Sequence, residues 1–462
     1  MFRNIDESPI GKGYRFLVKN IRPDIFFIGS FFFVILIGSL LLCLPFANKE
    51  SIAYVDALFT ATTATCVTGL MTKTLAQQFT FFGQFVVLLL IQIGGLGLMT
   101  IVSVFILFAK NKLGFQEKVL LKDALNKEGF DNISSFIIAI VRFTFAVEGI
   151  GFIIYFLHFS KMMSFFKALW TSLFLAISAF CNAGIDPLGA TSLNLFATDF
   201  VVNFNTCFLI IAGGLGFSVW FDLYDSIVRN KDPRPFYKKL SIHSKAVLLL
   251  TALLIFSEMF FIFFQEYSGV LKDFNFIEKL LVSFFNSVTL RTAGFTTVDY
   301  SLLRRATVFV MIPYMLIGGS PGGTAGGFKS TTFMLLLLAL YAQFNQESHL
   351  HVFKREVQAS DYNKATTIVL TYFLYLFIAL ALLLTFENAT FLSLFFEAAS
   401  AIGTVGLTVG ITSSLNTIGK VIIIALMFIG RIGPATIFFS LRGHKTKHDE
   451  SIRYPHANIL IG

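Results

Sequence analysis

The chain has 462 residues, 55% of them hydrophobic and 14% charged, with a mean hydropathy of +0.76. A water-soluble fold of this size cannot hide that much apolar surface, so soluble classes are excluded and a lipid bilayer is the expected solvent. The formal net charge of +9 points to nucleic acid only if position is ignored, because the cations gather in alternate loops between apolar runs.

In chain order, a polar segment 1–24 with five cations (Arg3, Lys12, Arg15, Lys19, Arg22) precedes the first apolar run. That run, Ile25 to Pro45, has the length of a full span and no small-residue cleavage site after a short core, so it reads as a retained helix and not as a signal peptide. From there the chain divides into four repeats, 25–109, 133–229, 243–343 and 363–440. Polar linkers 110–132, 230–242 and 344–362 separate them, and a tail 441–462 follows. Each repeat reads as span, half-span, glycine loop, span. The first spans are expected over 25–46, 133–158, 243–265 and 363–386, and the second over 83–109, 203–229, 306–343 and 415–440. Between them lie the runs 55–65, 166–179, 276–289 and 390–402. These are too short to cross a hydrocarbon core of about 30 Å at about 1.5 Å per residue. They are expected to be re-entrant helices, and the loop after each must be enclosed by protein or line a water-filled path.

The half-spans end in four similar loops: Thr65-Cys66-Val67-Thr68-Gly69, Phe180-Cys181-Asn182-Ala183-Gly184, Leu290-Arg291-Thr292-Ala293-Gly294 and Ile402-Gly403-Thr404-Val405-Gly406. Their closing glycines are 115, 110 and 112 residues apart, and such a period means repeated architecture. The second spans share a motif as well. Ile93-Gly94-Gly95-Leu96-Gly97 recurs as Ala212-Gly213-Gly214-Leu215-Gly216, Ile317-Gly318-Gly319-Ser320 and Ile429-Gly430-Arg431-Ile432-Gly433. Close helix approach is one reading of these glycines, and a place beside a pore is the other. Glu148 and Glu258, in first spans two and three, are also 110 residues apart. Within second span three, Gly318, Gly319, Ser320, Pro321, Gly322, Gly323, Thr324, Ala325, Gly326 and Gly327 cannot hold a regular helix. The segment is either a packing kink or a flexible loop bordering the pore. It is not a phosphate loop, since Phe328 separates the last glycine from Lys329. The four cysteines, Cys43, Cys66, Cys181 and Cys207, read as small buried hydrophobes and form neither a disulfide framework nor a metal cluster.

Of the 36 Lys and Arg residues, 23 lie in the N-terminus, in the stretches 110–132, 229–245 and 344–364, and in the tail, and nine lie on the opposite side. The remaining four, Arg142, Arg291, Lys329 and Arg431, fall within membrane segments. The positive-inside rule then puts both termini in the cytoplasm and the glycine loops on the outer half.

A cation entering a narrow pore must exchange water for oxygens on several sides at once. Glycine permits backbone angles that aim successive carbonyls inward. A re-entrant helix pointing its C-terminus at the loop adds negative dipole character. Hydroxyls such as Thr65 and Thr404 either supply further oxygen or brace the loop. With Thr68-Gly69-Leu70, Asn182-Ala183-Gly184, Leu290-Arg291-Thr292-Ala293-Gly294-Phe295 and Gly430-Arg431-Ile432-Gly433-Pro434, the chain resembles the Ktr/Trk/HKT superfamily of potassium transporters over nearly its whole length. Within it the bacterial Ktr-type membrane subunit (KtrB) is the better match: the Trk type carries extra N-terminal spans, and the C-terminus Tyr454 to Gly462 looks Ktr-like.

The resemblance implies an all-α integral membrane fold of four tandem helix–pore-loop–helix repeats, with eight spans and four re-entrant pore helices in pseudo-fourfold arrangement around one pore. It implies potassium uptake driven by the membrane potential, with Na⁺ as a stimulating or co-transported ion, and no enzymatic activity. The cation would be held at a selectivity filter made of the four five-residue loops, with no covalently bound cofactor. Residues 318–327 would be an intramembrane gate, with Lys329 and Arg431 beside it. The implied assembly is a homodimer in the bacterial inner membrane on a cytoplasmic nucleotide-binding RCK-type ring (KtrA-like). All four loops depart from a strict Thr-Val-Gly-Tyr-Gly filter, which leaves selectivity between K⁺ and Na⁺ open.

The intramembrane charges carry their own expectations. Arg431 shares its register with Gly95, Gly214 and Gly319, which turns it toward the pore, where it either holds the gate through carbonyls or makes a helix-packing salt bridge. Arg291 is expected to point away from the pore and pair with Glu148 or Glu258. Asp186 and Asp299 either concentrate cations at the outer mouth or are ordinary solvated acids. His349 and His351, near Lys354 and Arg355, read as a solvated or lipid-facing patch. One rival is an HKT-like Na⁺ pathway, against which stands Gly69 where sodium-selective members resemble a serine-bearing loop. Another is a membrane-embedded enzyme, but none of the seven histidines falls in a glycine loop or second span. A transporter with inverted repeats would alternate the orientation of its halves, whereas these four units all enter from one side.

Overall fold

A computed structural model describes residues 23–97, 100, 133–189, 192–229, 235–347 and 349–441. The expectations for the N-terminal cations, the linker 110–132 and the tail after residue 441 lie outside the described residues. Among the described residues the α-helices of eight or more residues, in chain order, are α1 (Pro23–Leu42), α2 (Tyr54–Thr65), α3 (Phe81–Leu96), α4 (Ile133–Phe159), α5 (Phe165–Cys181), α6 (Phe200–Gly214), α7 (Phe217–Tyr224) and α8 (Ile242–Glu266). They continue as α9 (Phe276–Thr289), α10 (Arg305–Leu316), α11 (Ser330–Phe344), α12 (Ala359–Phe386), α13 (Phe391–Gly403), α14 (Thr417–Ile432) and α15 (Pro434–Leu441). A local departure from an all-helical chain is a short antiparallel pair, β1 (His351–Val352) and β2 (Arg355–Glu356), in the linker before α12.

Among the described residues four helices, α1, α4, α8 and α12, are long and apolar enough to cross a membrane, and 28% to 44% of the most apolar 18-residue stretch of each is buried. Their free faces present Phe32, Phe33, Phe145, Phe264 and Phe377 outward, a surface suited to lipid and not to water. The short helices α2, α5, α9 and α13 fall within two residues of the expected half-spans. They are buried among their neighbours: Phe59, Phe174, Phe180, Phe285 and Phe396 are wholly enclosed.

The second spans differ from expectation. The sequence predicts a break in the third alone, yet each interrupts at the equivalent glycine-rich point. Helix α3 stops at Leu96 before Gly97, and α14 stops at Ile432 before Gly433. Helices α6 and α7 meet at a 96° bend around Gly216, and residues 317–329 separate α10 from α11. The physical reason is backbone conformation: Gly97, Gly216 and Gly433 have φ of +81°, +87° and +97° with extended ψ of 130°, 142° and 120°, a region that glycine enters without the steric cost of a Cβ. The starts of these helices are also matched. Thr80, Asp199 and Asn416 cap α3, α6 and α14 through Gly83, Val202 and Gly419 N–H groups at 3.4, 3.0 and 2.8 Å, each satisfying a first-turn donor.

Packing closes a cycle. Helix α3 packs on α5, α6 on α9, α10 on α13, and α14 returns to α2. The last of these contacts carries an ion pair, Lys420 Nζ to Asp56 Oδ1 at 2.7 Å. In the first, Trp170 Nε1 donates to Gln84 Oε1 at 2.8 Å.

Candidate functional site

The cycle of helices brings the four glycine loops together. In each loop the third residue adopts a left-handed backbone, with φ of +54° at Val67, +60° at Asn182, +64° at Thr292 and +50° at Thr404. The closing glycines follow with +103° at Gly69, +64° at Gly184, +80° at Gly294 and +91° at Gly406. Alternation of handedness turns neighbouring carbonyls to one side. A Cβ built on Gly69 would meet the Ala183 carbonyl oxygen at 2.7 Å, one on Gly184 the Ala293 oxygen at 2.6 Å, and one on Gly294 the Val405 oxygen at 2.6 Å. On Gly406 it would strike the Thr68 oxygen. Each glycine therefore seats against the fourth residue of the next loop, and the fourth loop closes on the first.

The loops are held from behind by residues that the motifs do not mark. Gly69 N–H donates to Thr63 Oγ1 at 2.9 Å, Ile185 N–H to Ser178 Oγ at 3.1 Å, and Gly406 N–H to Ser400 Oγ at 3.1 Å. All three hydroxyls sit two residues before the loop, so the period that marks the glycines marks them too. The third repeat has Val288 there, and Thr289 Oγ1 instead donates to the Phe295 carbonyl at 2.7 Å. Bracing thus falls to Thr63 and Ser400, and not to Thr65 and Thr404. The hydroxyls of Thr65, Thr68, Thr292 and Thr404 are buried without hydrogen-bond partners.

The second-span glycines serve close approach. A Cβ at Gly94 would run into the Thr65 carbonyl, at Gly213 into Phe180, and at Gly430 into Ile402; each of these is the first residue of its own repeat's loop. The segment 318–327 lies against the same loops. Thr324 Oγ1 donates to the Phe180 carbonyl at 3.1 Å, and a Cβ at Gly326 would strike the Thr404 side chain. Its backbone also fills the break between α6 and α7: Ser320 and Thr324 N–H donate to the Gly214 and Gly213 carbonyls at 3.0 Å, and Phe217 N–H to Gly322 at 3.1 Å. Ser320 Oγ donates to the Leu215 carbonyl.

Arg431 reaches this segment. Its Nη1 donates to the Thr324 carbonyl at 2.6 Å and its Nη2 to the Gly94 carbonyl. Both partners are backbone oxygens, so the alternative of a helix-packing salt bridge does not describe it. Lys329 Nζ donates to the Ala325 carbonyl at 2.8 Å. The structure therefore gathers the four loops, residues 318–327, Lys329 and Arg431 into one region.

The other charges differ from expectation. Among the described residues Arg291 makes no ion pair, and its buried Nε has no hydrogen-bond partner. Glu148 accepts instead from Gln92 Nε2 at 3.2 and 3.3 Å, which lies on α3, while both Glu258 oxygens are unpartnered. In the second repeat the loop residue equivalent to Arg291, Cys181, does lie beside its first-span glutamate, with Sγ 4.0 Å from Glu148 Oε1. Asp186 is buried and structural, accepting from Leu188 N–H at 2.9 Å and Ser192 Oγ at 2.7 Å. Asp299 caps the turn at Ser301. His349 Nδ1 lies 2.8 Å from Glu356 Oε1 in an exposed pair. A buried acid that no motif flags, Glu397 on α13, accepts from Thr408 at 2.8 Å and from Thr412.

Comparison with known proteins gives the family and the fold. The TrkH family, described as cation transport proteins, matches over residues 24–447. The chain is 38% identical over 453 residues to the potassium/sodium uptake protein NtpJ of Enterococcus hirae, covering 96% of this chain and 98% of the relative. It is 38% identical over 447 residues to the Ktr system potassium uptake protein B of Bacillus subtilis, with 96% and 98% covered. Against the protein of the same name from Vibrio alginolyticus the identity is 35% over 462 residues, with 100% and 99% covered. The crystal structure of the potassium transporter TrkH from Vibrio parahaemolyticus superposes with a TM-score of 0.70 at 18% identity, over 90% of this chain and 85% of that one, a likeness of fold. The chain belongs to the TrkH family of cation transport proteins.

Proposed function

We propose that this protein takes up potassium through a single pore enclosed by four helix–pore-loop–helix repeats with eight spans. The observation that carries this reading is the closed cycle of glycines against neighbouring carbonyls, 69 to 183, 184 to 293, 294 to 405 and 406 to 68. Such a cycle offers oxygens from four sides, as dehydration of a cation requires. The loops 65–69, 180–184, 290–294 and 402–406 form the selectivity filter, and 318–327 with Lys329 and Arg431 form the gate. Arg431 holds the gate loop closed through Thr324 and Gly94, and its fixed positive charge in the cation path opposes leakage. The potential supplies about 2.3 kcal/mol per charge per 100 mV. Both termini face the cytoplasm of a bacterial cell, and the chain works as a homodimer on a nucleotide-binding regulatory ring; what supports a further component is that relatives are named protein B of a Ktr system.

A second reading is favoured by one relative: NtpJ is named a potassium/sodium uptake protein, so sodium coupling or sodium passage is the alternative. The deciding experiment is K⁺ and Na⁺ uptake in a potassium-uptake-deficient bacterium, with and without the ring subunit. Potassium uptake that rises with the ring is expected. Sodium uptake without potassium rescue would favour the second reading.

A further inference from the structure

Tyr372, on α12, takes no part in the site described above. It is only 4% exposed, and its hydroxyl donates to the Gly430 carbonyl at 3.2 Å. That carbonyl needs a donor from another element. In a continuous helix it would accept the N–H four residues on, but residue 434 is a proline and has none. Gly433, at φ +97°, has already turned the chain. The equivalent carbonyl of α3, at Gly94, is taken by Arg431, and that of α6, at Gly213, by Thr324 N–H at 3.0 Å. Tyr372 does for α14 what the gate elements do for α3 and α6.

The ring of Tyr372 has a second contact. It packs edge-on to Phe328, with centroids 5.7 Å apart and planes at 77°. Phe328 is pinned at the base of the glycine-rich segment: its N–H donates to Leu316 at 3.1 Å and its carbonyl accepts from Gly318 at 3.0 Å. One side chain therefore touches the residue before Arg431 and the residue before Lys329.

We propose that Tyr372 is a positioning residue for the gate. It fixes the end of α14 against the base of 318–327, so that Arg431 arrives at both of its carbonyl partners. A displacement of α12, which packs on α11, α13, α14 and α15, is carried to Arg431 through it. This inference rests on the gating role of Arg431 proposed above.

The test is passive rubidium uptake into liposomes by the full-length chain without a regulatory subunit. Tyr372→Phe keeps the ring and removes the hydroxyl, and it is expected to raise the flux about five- to tenfold, the effect of one buried carbonyl losing its donor. In an Arg431→Ala background the same substitution should add nothing, because both act through one contact. Raised flux in Arg431→Ala with wild-type flux in Tyr372→Phe, or with independent addition of the two, overturns this inference alone. Unchanged flux in Arg431→Ala overturns the gating reading and this inference with it. Should Tyr372→Phe not fold, Phe328→Leu removes the ring contact and keeps the hydroxyl. Its flux is expected to rise in the same Arg431-dependent way, and wild-type flux overturns the inference.

Discussion

Gly69 shows how one residue is fixed by its neighbours. Its φ is +103°, and the Ala183 carbonyl oxygen lies 2.7 Å from where a Cβ would sit, so a side chain there strains the backbone and displaces the neighbouring loop. Gly69→Ser is expected to weaken the preference for K⁺ over Na⁺, read as a permeability ratio; an unchanged ratio would count against the filter assignment. Thr63 gives a gentler test. Thr63→Ala leaves the Gly69 N–H unpaired, at about 1–3 kcal/mol, and should lower apparent K⁺ affinity, whereas Thr63→Ser should keep it. The loop glycines are legible in the sequence because they share a period. Thr63, Ser178 and Ser400 share it too, but a hydroxyl inside a helix carries no motif until the donor it accepts from is seen. The surroundings of Arg291 are not legible, because the equivalent loop positions hold Cys66, Cys181 and Gly403 and offer no pattern for a charge.

The second-span helices are kept short by their glycines. Gly430→Ala would push a methyl into the Ile402 carbonyl, an overpacking of roughly 1–3 kcal/mol, and a lower melting temperature of the detergent-solubilised chain is the expected result. Arg431→Ala frees the Thr324 and Gly94 carbonyls, and it should raise ion flux through the closed protein; unchanged flux would remove its proposed role. A partial deletion of 318–327 should also raise flux, and loss of folding alone would support the packing reading of those glycines. The four short helices are readable from length, since a dozen apolar residues cannot cross a bilayer. The breaks in α3 and α14 are not readable, because a Gly-Gly pair in an apolar run is compatible with a continuous close-packed helix. The φ values at Gly97 and Gly433 distinguish the two.

Across the whole molecule the fourth repeat must meet the first, and Lys420 with Asp56 sits at that seam, with side chains 16% and 8% exposed. Lys420→Met leaves a buried carboxylate without its partner, an expected loss of about 3 kcal/mol, visible as a lowered melting temperature. Pairing it with Asp56→Asn should recover most of that loss; a single variant as stable as the wild type would show that the seam does not depend on the pair. The cycle also explains why the region below the glycine loops is unequal. The Gly94 carbonyl receives an arginine, Gly213 a backbone N–H and Gly430 a tyrosine hydroxyl.

Composition and period alone established a membrane chain with four matched loops, because lipid solvation and glycine spacing are properties of order along the chain. Which carbonyl each glycine faces, and which donor caps each broken helix, depended on the closed packing of the four stretches. Most of those contacts join residues more than a hundred positions apart, and no local pattern in the chain encodes them.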